Sequence, residues 1–216
     1  MKKSMRTIGC FFVSVVLLCL LFSDAFAAFI DFRDSEVFGG KGLRSYTASV
    51  DGLELTIQAS PRSSVLWWDD TDGYGIQSRW WTGAYERDEI EGREYLTLLF
   101  SESVYLSEVF ITDLFYERGY RELGFYSLDG DGTWHSFQAD PSQIRGSTGG
   151  ELMVPVGADV EYIVFAAPGW MAGQHHEFSV GGVSLSEVPV PLPASFYLLG
   201  SGLIGLLALR RKMRRS

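Results

Sequence analysis

From residue 28 to residue 187 the chain never places apolar residues at helical spacing over a convincing length. It offers short apolar or alternating runs instead, separated by turn-forming residues. Leu53-Glu54-Leu55-Thr56-Ile57 alternates as a strand with one buried face should, because successive side chains of an extended chain point to opposite sides. Further candidate strands are Phe29–Phe32, Val65–Trp68, Tyr95–Phe100, Val109–Leu114, Leu123–Leu128, Thr133–Phe137, Leu152–Val156, Tyr162–Ala166 and Phe178–Val183. Leu128-Asp129-Gly130-Asp131-Gly132-Thr133 marks a hairpin turn, since Gly and Asp accept the positive φ that tight hairpins need. About ten strands with Gly-rich punctuation and no βαβ alternation predict an all-β fold, an antiparallel β-sandwich. A jelly-roll arrangement is expected, with the first and last runs pairing to close it. No internal repeat is visible.

The two ends of the chain differ sharply from this middle. Before Asp24 the only charges are Lys2, Lys3 and Arg6, and Ile8–Phe22 is an apolar run broken only by Gly9, Ser14, Cys10 and Cys19. Ala25-Phe26-Ala27 then supplies the small-x-small pattern read by signal peptidase, so residues 1–27 are expected to be a signal peptide cut before Ala28. Leu18 stands where a lipoprotein signal needs a small residue, which argues against lipidation of Cys19. At the other end, Ala194–Leu209 is uncharged; as a helix its sixteen residues would span about 24 Å. Snorkelling of Arg210 and interfacial placement of Phe196 and Tyr197 extend that length toward a membrane span. Arg210, Arg211, Lys212, Arg214 and Arg215 follow with no acid, which places residues 210–216 in the cytoplasm. Three alternate prolines, Pro189, Pro191 and Pro193, keep residues 188–193 extended ahead of the helix.

Charge sorts with these segments. Residues 28–187 hold ten Lys and Arg against twenty-six Asp and Glu, a net charge of −16, although the whole chain carries only −9. Such acidity repels phosphate backbones and excludes nucleic acid as a partner. Both cysteines lie in the leader, so the mature domain has no disulfide and no thiolate chemistry, and its own core must hold it together. A domain of this length buries about two-thirds of its unfolded surface, which suffices.

Proline segment, apolar helix and basic tail, in that order, form a tripartite sorting signal. Val190-Pro191-Leu192-Pro193-Ala194-Ser195, with the helix and the Arg-Arg-Lys-Met-Arg-Arg tail, resembles the PEP-CTERM signal of Gram-negative envelope proteins. Leu192 stands where the family's naming glutamate would be, in a recurrent Val-Pro-Leu-Pro variant. The resemblance implies transient anchoring in the inner membrane, recognition by an exosortase, removal of the helix, and export to the cell surface or beyond. Asp88-Glu89-Ile90-Glu91-Gly92, the run from Glu94 to Phe100, and Gly124–Trp134 are also similar to lectin-like β-sandwich domains that often precede this signal. That second resemblance implies a sandwich and names no ligand.

The densest chemistry lies in Trp80–Gly92. Neighbouring residues of a strand face opposite ways, so one of Trp80 and Trp81 should enter the core while the other faces out, and the same holds for Trp67 and Trp68. An outward indole covers the apolar face of a pyranose while carboxylates accept hydrogen bonds from its hydroxyls. Trp80, Trp81, Tyr85, Asp88, Glu89 and Glu91 are therefore the candidate ligand-binding residues, for a glycan or exopolysaccharide. The opposing reading is core or edge filler beside a solvated acidic loop. A structural calcium is a further option, with oxygen ligands from Asp69-Asp70-Thr71-Asp72-Gly73 or from Asp88, Glu89 and Glu91. Asp129-Gly130-Asp131-Gly132 lacks the remaining ligands of an EF-hand loop. His175-His176-Glu177 has divergent side chains if extended, His135 is the only other histidine, and HExxH is absent. The chain has neither a G-x-S-x-G elbow nor a phosphate-binding Gly loop before a helix. Paired carboxylates suited to glycoside hydrolysis would arise by chance among twenty-six acids. The expectation is thus an exported, non-catalytic binding protein, with a glycan-active hydrolase and a purely structural matrix protein as alternatives.

Overall fold

The computed structural model describes residues 27–78, 88–117, 119–146, 150–168 and 176–186, which contain thirteen strands and no helix. In chain order these are β1 (Ala27–Asp31), β2 (Ser45–Val50), β3 (Leu53–Ser60), β4 (Ser64–Asp69), β5 (Gly73–Ser78), β6 (Ile90–Glu91), β7 (Tyr95–Thr112), β8 (Tyr116–Glu117), β9 (Tyr120–Arg121), β10 (Leu123–Leu128), β11 (His135–Gln138), β12 (Leu152–Ala166) and β13 (Glu177–Ser186). The expected signal peptide (apart from Ala27), Pro-rich segment, membrane helix and basic tail lie outside the described residues.

Eleven strands join one curled antiparallel sheet, and β8 with β9 forms a small separate ribbon. The main path runs β11-β10-β12-β7-β13-β5-β4. It branches at β7, whose first half also pairs β3, which in turn pairs β2. The first and last strands do pair: β1 lies antiparallel to β13 with Ile30 opposite Val183. The all-β antiparallel prediction therefore holds, as does the pairing of the first and last strands, while the strands belong to one continuous branched sheet.

Two expected pairs of strands are each a single long strand. Tyr95–Phe100 and Val109–Leu114 are joined through Ser101-Glu102-Ser103 in the eighteen-residue β7, which ends at Thr112. The polar interruption stays within the strand as a bulge of β7 itself: from the Val160–Val104 pair to the Tyr162–Leu99 pair, β7 advances five residues while β12 advances two. Leu152–Val156 and Tyr162–Ala166 merge likewise into β12. Pro155 has no amide hydrogen and sits where the ladder is already interrupted, beside Gly157 at a φ of 69°. Long strands with bulges bend, which lets a single sheet wrap its own core.

Alternation then decides what is inside. In β3, Leu55, Ile57 and Ala59 are buried while Glu54 and Gln58 are exposed. Leu96 and Leu98 of β7, Ile163 and Phe165 of β12, and Val180 and Val183 of β13 complete a core cluster with Leu66 and Ile76. Trp68 packs against that cluster and donates from Nε1 to the Phe32 carbonyl at 2.7 Å. Its neighbour Trp67 carries the Lys41 ammonium 3.2 Å above its ring, as the opposite-faces argument requires. Tyr74 is fully buried; its hydroxyl donates to the Gly39 carbonyl at 2.8 Å, and burial pushes its pKa well up.

Phe165 is fully buried in this cluster, whereas Gln58 is exposed on the other face. Phe165→Ala should lower the unfolding free energy by about 3–5 kcal/mol in urea titrations, and Gln58→Ala should change it by less than about 0.5 kcal/mol. Equal effects would contradict the assignment of inner and outer faces.

Candidate functional site

Of the candidate ligand-binding residues, Trp80, Trp81 and Tyr85 lie outside the described residues. Asp88, Glu89 and Glu91 are described, and they part company. Asp88 is exposed, while Glu89 and Glu91 are buried. The reason is local pairing. Ile90 and Glu91 form β6 against β13, with Ile90 opposite Phe178 and Glu91 opposite Glu177. The amide of Ile76 in β5 donates to the Glu89 carbonyl at 3.4 Å, and the hydroxyl of Ser179 donates to the Asp88 carbonyl at 3.5 Å. Asp88–Glu91 is thereby wedged between β5 and β13. Gly75 has to be glycine here, because a Cβ would overlap the Asp88 carbonyl oxygen. A turn at Gly92 (φ 64°) follows, in which the Glu91 amide donates to Glu94 Oε2 at 3.1 Å.

Burial of Glu89 completes a cluster whose members are far apart in the chain. Its neighbours in charge are Glu177 at the start of β13, Asp113 just past β7, Glu122 just before β10, and Arg145. Arg145 Nη2 donates to Glu177 Oε1 at 2.7 Å and lies 4.0 Å from Glu122 Oε1. Glu122 Oε2 also accepts the Phe115 amide at 2.5 Å. Glu89 Oε2 is buried and makes no hydrogen bond. His176 Nδ1 accepts from the Leu123 amide at 3.1 Å, which assigns the ring proton of a neutral imidazole to Nε2. Among the described residues one guanidinium stands among these four carboxyl groups, and so many acids close together raise the cost of ionising all of them.

The electrostatics follow. Desolvation first, and then the nearby Glu177 and Asp113, hold the Glu89 carboxyl well above the usual carboxylate range, with Arg145 opposing. Desolvation and then Asp72 raise Asp113 to about 7. A hydrogen bond between the Asp113 and Asp72 side chains favours the proton on Asp113. Asp69, by contrast, is occupied in its own turn, accepting from the amides of Thr71 and Asp72 at 3.0 and 2.9 Å. Among the described residues no group of three or more His, Cys, Asp or Glu side chains is arranged to hold a metal ion. His176 and Glu177 are both buried, and His175 lies outside the described residues. Sequence reasoning missed Asp113, Glu122 and Arg145, which are distant in the chain. The scarcity of bases in the domain was the available clue that an arginine beside the sheet would gather acids.

The comparisons with known proteins bear on the tail. Residues 189–212 match the family model of the PEP-CTERM protein-sorting motif. The chain carries an exosortase sorting signal. The matched span contains Val190, Pro191, Leu192, Pro193, Ala194 and Ser195, and it implies export, membrane anchoring before cleavage, and processing by an exosortase. No curated protein and no solved structure matches the chain.

Raised carboxyl pKa values make a pH prediction. Unfolded, Glu89 and Asp113 ionise in the ordinary range; folded, they keep their protons to higher pH. The native state therefore binds more protons than the unfolded chain across that interval, and these two groups subtract stability as pH rises. For Asp113 the interval runs from its ordinary 3.8 up to about 7. Asp113→Asn and Glu89→Gln should raise the thermal midpoint relative to wild type at about pH 7 and make little difference at about pH 4. A difference that stays constant across that range would contradict the assignment.

Proposed function

We propose that this chain is an exosortase-processed protein of the cell envelope or extracellular matrix whose β domain binds glycan without catalysing a reaction on it. The observation that carries the first half is the sorting motif at 189–212, at the end of a chain whose residues 28–187 hold almost all of the acid. Signal peptidase removes residues 1–27, the 194–209 helix holds the intermediate in the inner membrane, and the exosortase releases the domain near Pro193.

For the second half, the contacts are Trp80, Trp81, Tyr85 and Asp88, with Glu89 and Glu91 anchoring Asp88 to the sheet. The exposure of Asp88 beside two buried, strand-anchored carboxyls supports that division. Binding is favoured over hydrolysis because the clustered carboxyls Glu89, Glu122 and Glu177 are buried, out of reach of a glycosidic bond.

Intact-mass measurement of the released protein should place its N-terminus at Ala28 and its C-terminus near Pro193; a surface form that keeps Arg210–Arg215 would contradict the processing. On arrays of short oligosaccharides, Trp80→Ala and Trp81→Ala, made separately, should show that at least one abolishes binding. Binding indifferent to both would remove Trp80 and Trp81 from the site.

A further inference from the structure

A second aromatic feature sits on the outer face of the sheet, away from the core. Tyr95 opens β7 and Trp134 immediately precedes β11; both are large rings left open, at 39% and 47% exposure. Their strands are separated in the sheet by β10 and β12, yet the rings lie 6.5 Å apart with 44° between their planes. Two open aromatic rings brought together from positions 39 residues apart are not what burial would select, because burial would have covered them.

Register shows what surrounds them. The row across the sheet through Tyr95 reads Ser60, Tyr95, Ala166, Phe125 and Ser136. The next row, through Gln58, Thr97 and Val164, faces the same way because alternation returns every second residue to the same side. The intervening row, Ala59, Leu96, Phe165 and Tyr126, is the buried one. Neither outer row carries a charge, although the domain around them carries twenty-six acids and ten bases. Tyr162 adds a third ring on this face, its hydroxyl lying against Gly130 of the β10–β11 turn.

We infer that this outer face, centred on Tyr95 and Trp134, is a binding platform for a neutral polysaccharide. The chemistry is specific to that class. An indole and a phenol offer flat apolar surface to the axial hydrogens of pyranose rings, and the Ser, Thr and Gln groups beside them exchange hydrogen bonds with equatorial hydroxyls. Two rings inclined to one another suit a polymer whose successive sugars turn, more than a single sugar. The absence of charge matches an uncharged chain, whereas an anionic polymer would be repelled by the domain and a cationic one would find its partners elsewhere on the surface. This inference extends the glycan-binding reading to residues that the Trp80–Glu91 segment does not contain.

The test is affinity electrophoresis of the exported protein through gels containing hydroxyethylcellulose, dextran or galactomannan, with alginate as the anionic counterpart. At least one neutral polymer should retard the protein, and added salt should not weaken the effect. Trp134→Ala and Tyr95→Ala should each weaken retardation roughly tenfold, while Trp134→Phe keeps most of it. Both alanine variants keep the wild-type thermal midpoint, because the residues they replace are exposed. Retardation should survive Trp81→Ala. Loss on Trp81→Ala but not on Trp134→Ala would overturn the platform and leave the Trp80–Glu91 reading standing. Retardation by no polymer would overturn both, as would retardation by alginate alone that salt abolishes. A concentration-dependent dimer dissolved by Trp134→Ala would give the face to a second copy of the chain and overturn the inference as well.

Discussion

The backbone ladder of β7 is the constraint on which the rest of this structure depends. Its eighteen residues satisfy amides and carbonyls against three partners: β3 on the first half, β13 on the second, and β12 along most of its length. An extended strand of that length reaches about 60 Å, far more than one flat sheet of a small domain needs. Such a strand has to bend to stay within a single core, and bulges in β7 itself and in β12 and β13 beside it supply the bend. Once bent, it carries Leu96 and Leu98 into the same cluster as Val109 and Ile111. One strand thus takes the place of the second sheet that a sandwich would use.

The acidic cluster is a consequence of where those strands end. Thr112 pairs Ser179, so Asp113 leaves β7 near the place where Glu177 enters β13, and β6 brings Glu89 to the same spot. Glu122 and Arg145 arrive from the segments flanking β10 and β11. Burial of so many carboxyls opposes folding at neutral pH, because protons must be held against the solvent or repulsion tolerated. The core of leucine, isoleucine and phenylalanine offsets that cost.

Much of the fold was legible because its strands are patterned. Leu53–Ile57 announced β3 by alternation, Leu123–Leu128 is β10 to the residue, and the Asp129-Gly130 turn takes positive φ at both positions. Among strands longer than two residues, two escaped notice, for opposite reasons. β2, Ser45–Val50, buries only Ala48 and so shows almost no apolar run; its signal was the Asp51-Gly52 turn that follows, with φ of 51° and 89°. β5 reads as loop because Gly73 and Gly75 interrupt it, and Gly75 is there to admit the Asp88 backbone. The candidate site was legible only in part. A sequence shows that Glu89 and Glu91 are acids near tryptophans, but their burial is decided by pairing with β13, some ninety residues away. The sorting signal needed no fold at all, since order and composition along the chain define it.

Hydrogen–deuterium exchange of the exported domain tests the place given to β7 most directly. Amides on both halves of β7, residues 95–100 and 104–112, should be among the slowest to exchange and should open together with their partners in β12 and β13, as one cooperative unit. Rapid exchange in one half while the other stays protected would mean that two sheets fold separately, and the single curled ladder would be the wrong description.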